Sequence, residues 1–192
     1  MKKIIFATNN LHKLSEVRVL LGNMFEIVSL KELDFNEEIP ETGKTLSENA
    51  FQKSHFIYER YGLDCFADDT GLEVDTLDGA PGVYSARYAG EHASYEENVT
   101  KLLDALDGER NRTACFKTVV SLILKGMEFL FEGRVDGLIL EQRAGNSGFG
   151  YDPVFLPDGY SESFAEMSPK LKNRISHRGK AMQKLIVFLK NR

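Results

Sequence analysis

The sequence has no tryptophan and only two cysteines among its 192 residues. Cys65 and Cys115 lie far apart in apolar runs, and neither belongs to a Cys-x-x-Cys pair or a Cys/His cluster. This pattern argues against a disulfide-stapled scaffold and offers no zinc-ligand spacing, so we expect two buried, reduced thiols in a cytoplasmic protein. A chain of this length buries about 70% of its unfolded surface, so its core needs no such staple.

Long apolar runs are also missing. No stretch approaches the ~20 residues that a membrane-spanning helix needs. The run that opens the chain, Ile4–Ala7, is too short for the apolar part of a signal peptide. Internal repeats, low-complexity tracts and linkers are absent as well. We therefore expect one soluble domain over residues 1–192, with no membrane partner.

Positive charge is scarce in most of the chain and concentrated at one end. Residues 168–192 contain eight Lys and Arg side chains and no Asp or Glu, a segment charge of +8. Because the net charge is −5, residues 1–167 carry −13. An acidic body with a basic C-terminal arm fits a site for a metal ion and a polyanion. A protein that binds nucleic acid normally spreads its basic surface over a basic domain.

The spacing of apolar residues predicts an α/β fold with a mixed sheet. Helix starts are marked by capping boxes at Thr45/Glu48 and Ser94/Glu97, and by Ser168 before a proline. Two long β-branched runs around Lys125-Gly126 predict an antiparallel hairpin, about 113–140, that extends the sheet or forms a second lobe. The expected elements are a strand at 2–8, a helix from 11 closed by Gly22, a strand at 25–30, a helix at 45–61, a strand at 63–67, a helix at 94–106, strands at 113–124 and 127–140, and helices from 168 and 177.

One acidic, glycine-punctuated stretch, Cys65–Gly90, holds the strongest chemical signal. The predicted strand at 63–67 should end where Asp68-Asp69-Thr70-Gly71 begins. Adjacent carboxylates at a strand end raise each other's pKa unless a cation neutralises them. Mg²⁺ prefers oxygen ligands and usually arrives with phosphates attached, so it is the natural cation here. A solvated acidic turn is the alternative for this motif taken alone.

The first strand and helix are expected to form an anion site. Asn9 and Asn10 are good N-caps, and the first amides of a helix carry about half a positive charge, with Lys13 one turn in. An ordinary strand–helix turn with a surface lysine is the alternative. Further along, Gly43-Lys44-Thr45 imitates the end of a P-loop, but the pattern needs a glycine at the position of Glu38, so that interpretation is rejected.

Together these motifs match a known family, and the match covers essentially the whole chain. The sequence resembles the inosine/xanthosine triphosphate pyrophosphatases, which cleave non-standard purine nucleoside triphosphates to the monophosphate and pyrophosphate. One small departure is Asn9, where many relatives have glycine. The matching motifs are Thr8-Asn9-Asn10-x-x-Lys13, Glu41-Thr-Gly43, Ala67-Asp-Asp-Thr-Gly-Leu72, Gly79-Ala-Pro-Gly-Val-Tyr-Ser-Ala-Arg-Tyr88, Gly148-Phe-Gly-Tyr-Asp-Pro153 and Ser176-His-Arg-Gly-Lys-Ala181.

The resemblance implies a Mg²⁺-dependent homodimer with an elongated mixed sheet, flanked by helices, that forms two lobes around a central cleft. It implies that Asp69 is the general base toward the attacking water, and that Glu41 and Asp68 help Asp69 to position the metal. A general base contributes typically 10²–10⁴ in rate. The residues implied to hold the triphosphate are Thr8, Asn9, Asn10 and Lys13, with Lys53 and Arg87 as further anion contacts. Thr70 is implied to contact the substrate through its hydroxyl or amide.

The base of the substrate is implied to be bound by the last two motifs. Phe149 would stack on the purine, Asp152 would accept from ring N–H groups, and Lys172 would donate. Hypoxanthine and xanthine carry an acceptor oxygen at C6 where adenine carries an amino group, so a donor-lined pocket discriminates against adenine. Guanine shares the C6 oxygen, and no residue of the sequence explains its rejection. The other residues implied at this subsite are Gly150, Tyr151, His177 and Arg178.

Two other functions are kept as alternatives. The first is a metal-dependent phosphatase that uses Asp68 or Asp69 as a covalent nucleophile. Such enzymes usually carry Asp-x-Asp after the first strand, where this chain has Thr8-Asn9-Asn10. The second is a non-catalytic nucleotide- or RNA-binding protein using the basic C-terminal arm, which predicts strongly salt-dependent binding.

Overall fold

The structure is a computed structural model that describes residues 2–22 and 24–191. Its six strands form one sheet in the order β2-β1-β3-β4-β5-β6, with β1 parallel to β2 and β3, and β5 antiparallel to β6. This confirms the predicted mixed α/β sheet. The strands are β1 Lys2–Phe6, β2 Phe25–Ser29, β3 Cys65–Val74, β4 Thr113–Leu124, β5 Met127–Ile139 and β6 Phe155–Pro157, and the α-helices are α1 Leu11–Leu21, α2 Leu46–Tyr61, α3 Tyr95–Ala105, α4 Pro169–Ile175 and α5 His177–Lys190.

The helix starts follow the predicted caps. Both capping boxes are present. The side chains of Thr45 and Ser94 each accept from the amide three residues on, and the backbone amide of each donates to the glutamate side chain at that position. Ser168 caps the helix that begins with Pro169. The turn at Lys125-Gly126, with φ of 52° and 76°, joins two neighbouring strands, as the predicted hairpin requires. No helix in the described ranges is long and apolar enough to cross a membrane.

The chain divides into two compact units. The first contains Met1–Asp69, Thr118–Gly133 and Gly179–Arg192, and the second contains Thr70–Lys117 and Arg134–Arg178. The division runs through β3, through both strands of the hairpin and through α5, so the hairpin tip belongs to the first unit and its open end to the second. The expected two-lobe organisation stays a prediction.

In the first unit the sheet has a core on each face. Phe6 and Phe66, stacked with ring centroids 4.6 Å apart, pack with apolar residues of α1 and α5. Cys65 and Ala67 point the other way and pack with Ile57 of α2. Successive residues of β3 therefore alternate between the helix α1 side and the helix α2 side, as the period of two in a strand requires. This alternation decides where the following residues point.

The core of the second unit is rich in aromatic rings. Phe116, Phe155 and Phe164 are buried together, with Phe116 and Phe155 centroids 4.7 Å apart. Strand β6, which the sequence did not predict, supplies Phe155. Its last residue is Pro157, and a proline within a run normally argues against a strand. The strand is short and lies at the end of the strand order, where the missing proline amide costs little.

Arg112 holds the end of α3 to the strands of the second unit. Its guanidinium donates to the carbonyls of Leu106 at 2.7 Å, Ile139 at 2.7 Å and Leu140 at 2.9 Å. Arg112→Lys cannot reproduce this planar fork, and we expect the free energy of unfolding to fall by about 2 kcal/mol, since bonds to charged groups contribute roughly 1.5–3 kcal/mol each. Urea unfolding measures this. Arg110→Lys, at an exposed position, is the control; an equal loss in both variants would contradict the prediction.

Both cysteines are buried, as expected. Burial raises the pKa of Cys65 to about 12 and that of Cys115 to about 11. Since only the thiolate reacts, a raised pKa lowers reactivity at any pH below it. We expect iodoacetamide at pH 8 to modify both thiols at least ~100-fold more slowly in the native protein than in guanidinium-unfolded protein. Mass spectrometry over time measures this, and fast labelling of native Cys65 would contradict it.

Candidate active site

The two adjacent aspartates of β3 point in opposite directions. Asp68 continues the α1 side of the strand, and its Oδ1 lies 3.1 Å from Lys13 Nζ on α1. Asp69 continues the α2 side, and its Oδ1 lies 3.3 Å from Lys53 Nζ on α2. Both aspartates are buried, with relative exposures of 1% and 7%. Each carboxylate therefore has its own ammonium partner, and the two charges do not share one face.

This arrangement corrects the predicted end of the strand. The sequence predicts that the strand ends at Ala67, with the two carboxylates beyond its end. The strand instead continues through Asp68 and Asp69 to Val74. Alternation places the two charges on opposite faces, and a lysine from a different helix neutralises each one, so the strand continues without a like-charge conflict.

On the α2 side, three charged groups and one amide surround the carboxylate of Asp69. Lys53 Nζ lies 2.6 Å from Glu41 Oε1 and also contacts Asp69 Oδ1, and Asn49 Nδ2 donates to Asp69 Oδ2 at 3.1 Å. Burial raises the pKa of Asp69, and Lys53 and Lys13 oppose that rise without cancelling it. Burial lowers the pKa of Lys53, but the carboxylates of Asp69, Glu41 and Asp68 outweigh it and raise that pKa.

At the start of α1, side chains occupy several of the amides that were expected to hold a phosphate. Asn10 Oδ1 accepts from the amides of His12 at 3.0 Å and Lys13 at 3.1 Å, and Thr8 Oγ1 accepts from the amide of Asn10 at 3.2 Å. Asn9 is exposed. An anion bound here would compete with Asn10 for these amides, so Lys13 is the stronger candidate contact.

In the second unit, Asp152 is the centre of the glycine-rich loop. Its Oδ2 accepts from the amide of Phe149 at 2.8 Å and from Lys172 Nζ at 2.6 Å, and both charged side chains are at most 8% exposed. Gly148 has φ of +78°, and a Cβ at that position would overlap this carboxylate. The loop is thus built around a buried ion pair between two of the residues implied to read the base.

The ring of Phe149 lies beside two cations. Lys172 Nζ is 4.8 Å and Arg178 Cζ is 5.6 Å from the ring centroid. Arg178, itself buried, donates from Nη2 to Thr70 Oγ1 at 3.2 Å. Phe149, Asp152, Lys172, Arg178 and Thr70 are therefore connected by contacts within the second unit.

The other residues implied at the subsite make contacts that support the loop. The ring of His177 stacks on Phe116 with centroids 4.5 Å apart and an interplanar angle of 14°. Tyr151 is buried, its hydroxyl donates to the carbonyl of Ser85 at 2.9 Å, and burial raises its pKa. Gly150 has φ of +61°. These positions shape the loop and its support.

Arg87 contacts Glu91 and Tyr84. Its guanidinium is 3.7 Å from Glu91 Oε1 and 5.3 Å from the ring centroid of Tyr84. Both neighbours are exposed, and Arg87 is partly buried at the end of a short 3₁₀ helix, Gly82–Arg87. The role of Arg87 in binding an anion stays a prediction.

Sequence reasoning missed Asn49, which is completely buried and contacts Asp69 directly. A helical-periodicity signal for it exists: Asn49 lies three residues after Leu46 and four before Lys53, so all three share one face of α2. A polar residue on the inward face of a helix requires a hydrogen-bonding partner.

Known proteins resemble this chain over almost its whole length. A profile of the Ham1 family matches residues 4–188. A dITP/XTP pyrophosphatase of Porphyromonas gingivalis is 54% identical over 190 residues, 98% of each chain. One of Christiangramia forsetii is 52% identical, covering 97% of this chain and 98% of the relative.

Solved structures agree with these sequence matches. The Ham1 protein of Staphylococcus aureus superimposes with a TM-score of 0.90 at 39% identity, and the match covers 99% of each chain. A HAM1 protein from Coxiella burnetii gives a TM-score of 0.91 at 36% identity over 100% of both chains. The likeness therefore extends over the complete fold.

Proposed function

This chain belongs to the Ham1 family, and we propose that it hydrolyses non-standard purine nucleoside triphosphates, dITP, XTP and ITP, to the monophosphate and pyrophosphate. The observation that carries the proposal is the full-length identity of about half to relatives named dITP/XTP pyrophosphatases. The charged clusters around Asp69 and Asp152 support it. Removing such nucleotides from the cellular pool would be the role of the enzyme.

The first unit is proposed to act on the triphosphate. Asp69 has the properties of a general base: it is buried, its pKa is raised, and Asn49 holds one of its oxygens in place. It would take the proton from a water molecule that attacks the α-phosphorus. Lys13 and Lys53 would supply positive charge to the phosphate oxygens, where charge develops as the pyrophosphate leaves.

The residues around Lys53 fit a magnesium ion. Its ammonium lies within 3.3 Å of oxygens from both Glu41 and Asp69, which shows that these two carboxylates can share one cation. Among the described residues no group of three or more His, Cys, Asp and Glu side chains could hold a metal. Mg²⁺ usually takes only one or two carboxylates and completes its shell with phosphates and water. When bound, it would neutralise phosphate charge and orient the nucleophilic water.

We assign the metal to Glu41 and Asp69. Asp68 contacts Lys13 and points to the other face of β3, so its expected share in the metal site stays a prediction. Asp68 is instead suited to holding Lys13 in place for the phosphates.

The second unit is proposed to bind the base. Phe149 supplies a ring for stacking, a contact worth about 1–3 kcal/mol with nucleic-acid bases. Lys172 and Arg178 lie beside that ring and are hydrogen-bond donors, which suits the C6 oxygen of hypoxanthine and xanthine. Adenine presents an amino donor there, which cannot accept a hydrogen bond from either cation. Thr70, Gly150, Tyr151 and His177 would complete or support this subsite.

Assembly and location are proposed on the family resemblance. It implies a homodimer, and two buried reduced thiols suit the reducing cytoplasm. No partner other than the nucleotide and a second copy is proposed.

The test is a steady-state comparison of dITP, XTP, GTP and ATP with Mg²⁺, with separate detection of pyrophosphate and orthophosphate. We expect kcat/KM for dITP and XTP to exceed that for ATP by at least ~10²-fold, with pyrophosphate as the first product. Orthophosphate as the first product, together with a trapped phosphoaspartate, would indicate a phosphatase. Salt-sensitive oligonucleotide binding without turnover would indicate a binding protein. Either result would overturn the proposal.

A further inference from the structure

Asn49 connects the carboxylate of Asp69 to the loop that carries Glu41. It is fully buried within α2, with a relative exposure of 0%. Its Oδ1 accepts from the amide of Gly43 at 2.8 Å, and its Nδ2 donates to Asp69 Oδ2 at 3.1 Å. We propose that Asn49 is a positioning residue that sets the orientation of Asp69 for catalysis.

The direction of the Asn49 amide is fixed by its neighbours. The backbone amide of Gly43 can only donate a hydrogen bond, so the carbonyl oxygen of Asn49 must face it. The NH₂ group then faces Asp69, and Asp69 Oδ2 must accept. Oδ2 therefore accepts from Asn49, and Oδ1 accepts from Lys53 Nζ at 3.3 Å, so both oxygens of the carboxylate are held by α2.

This arrangement keeps the carboxylate of Asp69 in one orientation for the proton transfer. When water attacks the α-phosphorus, a new P–O bond forms, the bond to the bridging oxygen breaks, and that electron pair leaves with the pyrophosphate. The proton of the water moves to the carboxylate of Asp69. Asn49 itself gains and loses nothing in this step; it keeps the carboxylate turned in one direction.

The loop that carries Glu41 packs closely against α2 at Gly43. A Cβ at Gly43 would lie 2.6 Å from Glu48 Cβ and 2.7 Å from Asn49 Oδ1, so only glycine allows the loop to approach α2 this closely. This is the segment that resembles a P-loop in the sequence. Its close packing against α2 gives the resemblance a structural explanation, because Gly43 serves as the docking point of the loop.

Gln52 offers a matched control for the loop alone. Its side chain accepts from the amide of Thr42 at 3.0 Å and donates to Thr42 Oγ1 at 2.9 Å. Gln52 therefore holds the same loop, one turn of α2 further on. Neither of these two bonds reaches Asp69. Loss of Gln52 loosens the loop, whereas loss of Asn49 also releases the carboxylate.

The inference rests on the proposed function, since it assumes that Asp69 is the base. Asn49→Leu, with Asn49→Ser as a second variant in case the first does not fold, is expected to lower kcat for dITP by about 10–100-fold, since small misplacements of a reacting group have such effects. KM and the dissociation constant of a non-hydrolysable dITP analogue should change less than about threefold. Gln52→Leu should keep kcat within about threefold of wild type.

A double-mutant cycle separates positioning from general structural support. If Asn49 acts through Asp69, Asn49→Ser should have no further effect on the residual rate of Asp69→Asn. Additive losses in the cycle, or equal losses in Asn49→Ser and Gln52→Leu, would overturn the assignment while leaving the proposed function intact. A wild-type protein that releases no pyrophosphate from dITP would overturn both.

Discussion

Asp69→Asn is expected to lower kcat for dITP by about 10²–10⁴, the usual contribution of a general base. The substitution keeps the size of the side chain and an acceptor oxygen for Asn49, so its main effect is the loss of a basic carboxylate. Glu41 still pairs with Lys53 in this variant, which limits the damage to the cluster. The measurement is kcat at saturating dITP over a series of Mg²⁺ concentrations.

Saturation with Mg²⁺ separates loss of the base from loss of a metal ligand, because only the second is restored by more metal. Asp64→Asn is the control: Asp64 precedes β3 and pairs with Lys2 and with the amide of Lys125. It should keep kcat within about threefold of wild type, since its partners contribute only to stability. An Asp69→Asn enzyme with near wild-type kcat would remove Asp69 as the base.

Lys172→Met is expected to have the largest effect on stability. It leaves the carboxylate of Asp152, 5% exposed, buried without its ammonium partner, and breaking such a pair typically lowers the free energy of unfolding by 3–5 kcal/mol. The variant should also lose discrimination between XTP and ATP by at least ~10-fold, because a donor to the C6 oxygen is gone. Urea unfolding and the ratio of kcat/KM values measure the two effects.

The double variant Lys172→Met/Asp152→Asn separates stability from specificity. Removing both charges should recover most of the lost stability, to within ~1–2 kcal/mol of wild type, since an uncharged pair leaves no buried, unpaired ion. Discrimination should not recover. Recovery of both properties together, or full discrimination in Lys172→Met, would show that Lys172 supports the loop without reading the base.

The sequence was most informative where local chemistry decides the structure. Capping boxes at Thr45 and Ser94 set the starts of α2 and α3 because they satisfy amides that no distant residue could reach. The glycine turn at Lys125-Gly126 fixed the hairpin for the same reason.

The sequence was least informative where contacts between distant residues of the chain decide the structure. The continuation of β3 through Asp68 and Asp69 depends on two lysines that are 55 and 16 residues away in the sequence. Local rules against adjacent buried charges gave the wrong end for that strand. Asn49 was missed because its partner Asp69 comes from another element, and β6 was missed because it is short and ends in a proline.

The relatives and the residues explain different parts of the function. Full-length similarity supports the reaction class, and the contacts support roles for particular side chains. Pairing of each aspartate with its own lysine gives the two residues distinct roles. Asp69, held by Asn49 and placed beside Glu41 and Lys53, is the one suited to act on water.

Hydrolysis of dITP in ¹⁸O-labelled water shows whether water attacks the α-phosphorus. Mass spectrometry of the two products shows which phosphorus received the water oxygen. We expect one ¹⁸O atom in the monophosphate and none in the pyrophosphate. Label in pyrophosphate or in free orthophosphate would contradict it, because the water would then have attacked the β- or γ-phosphorus.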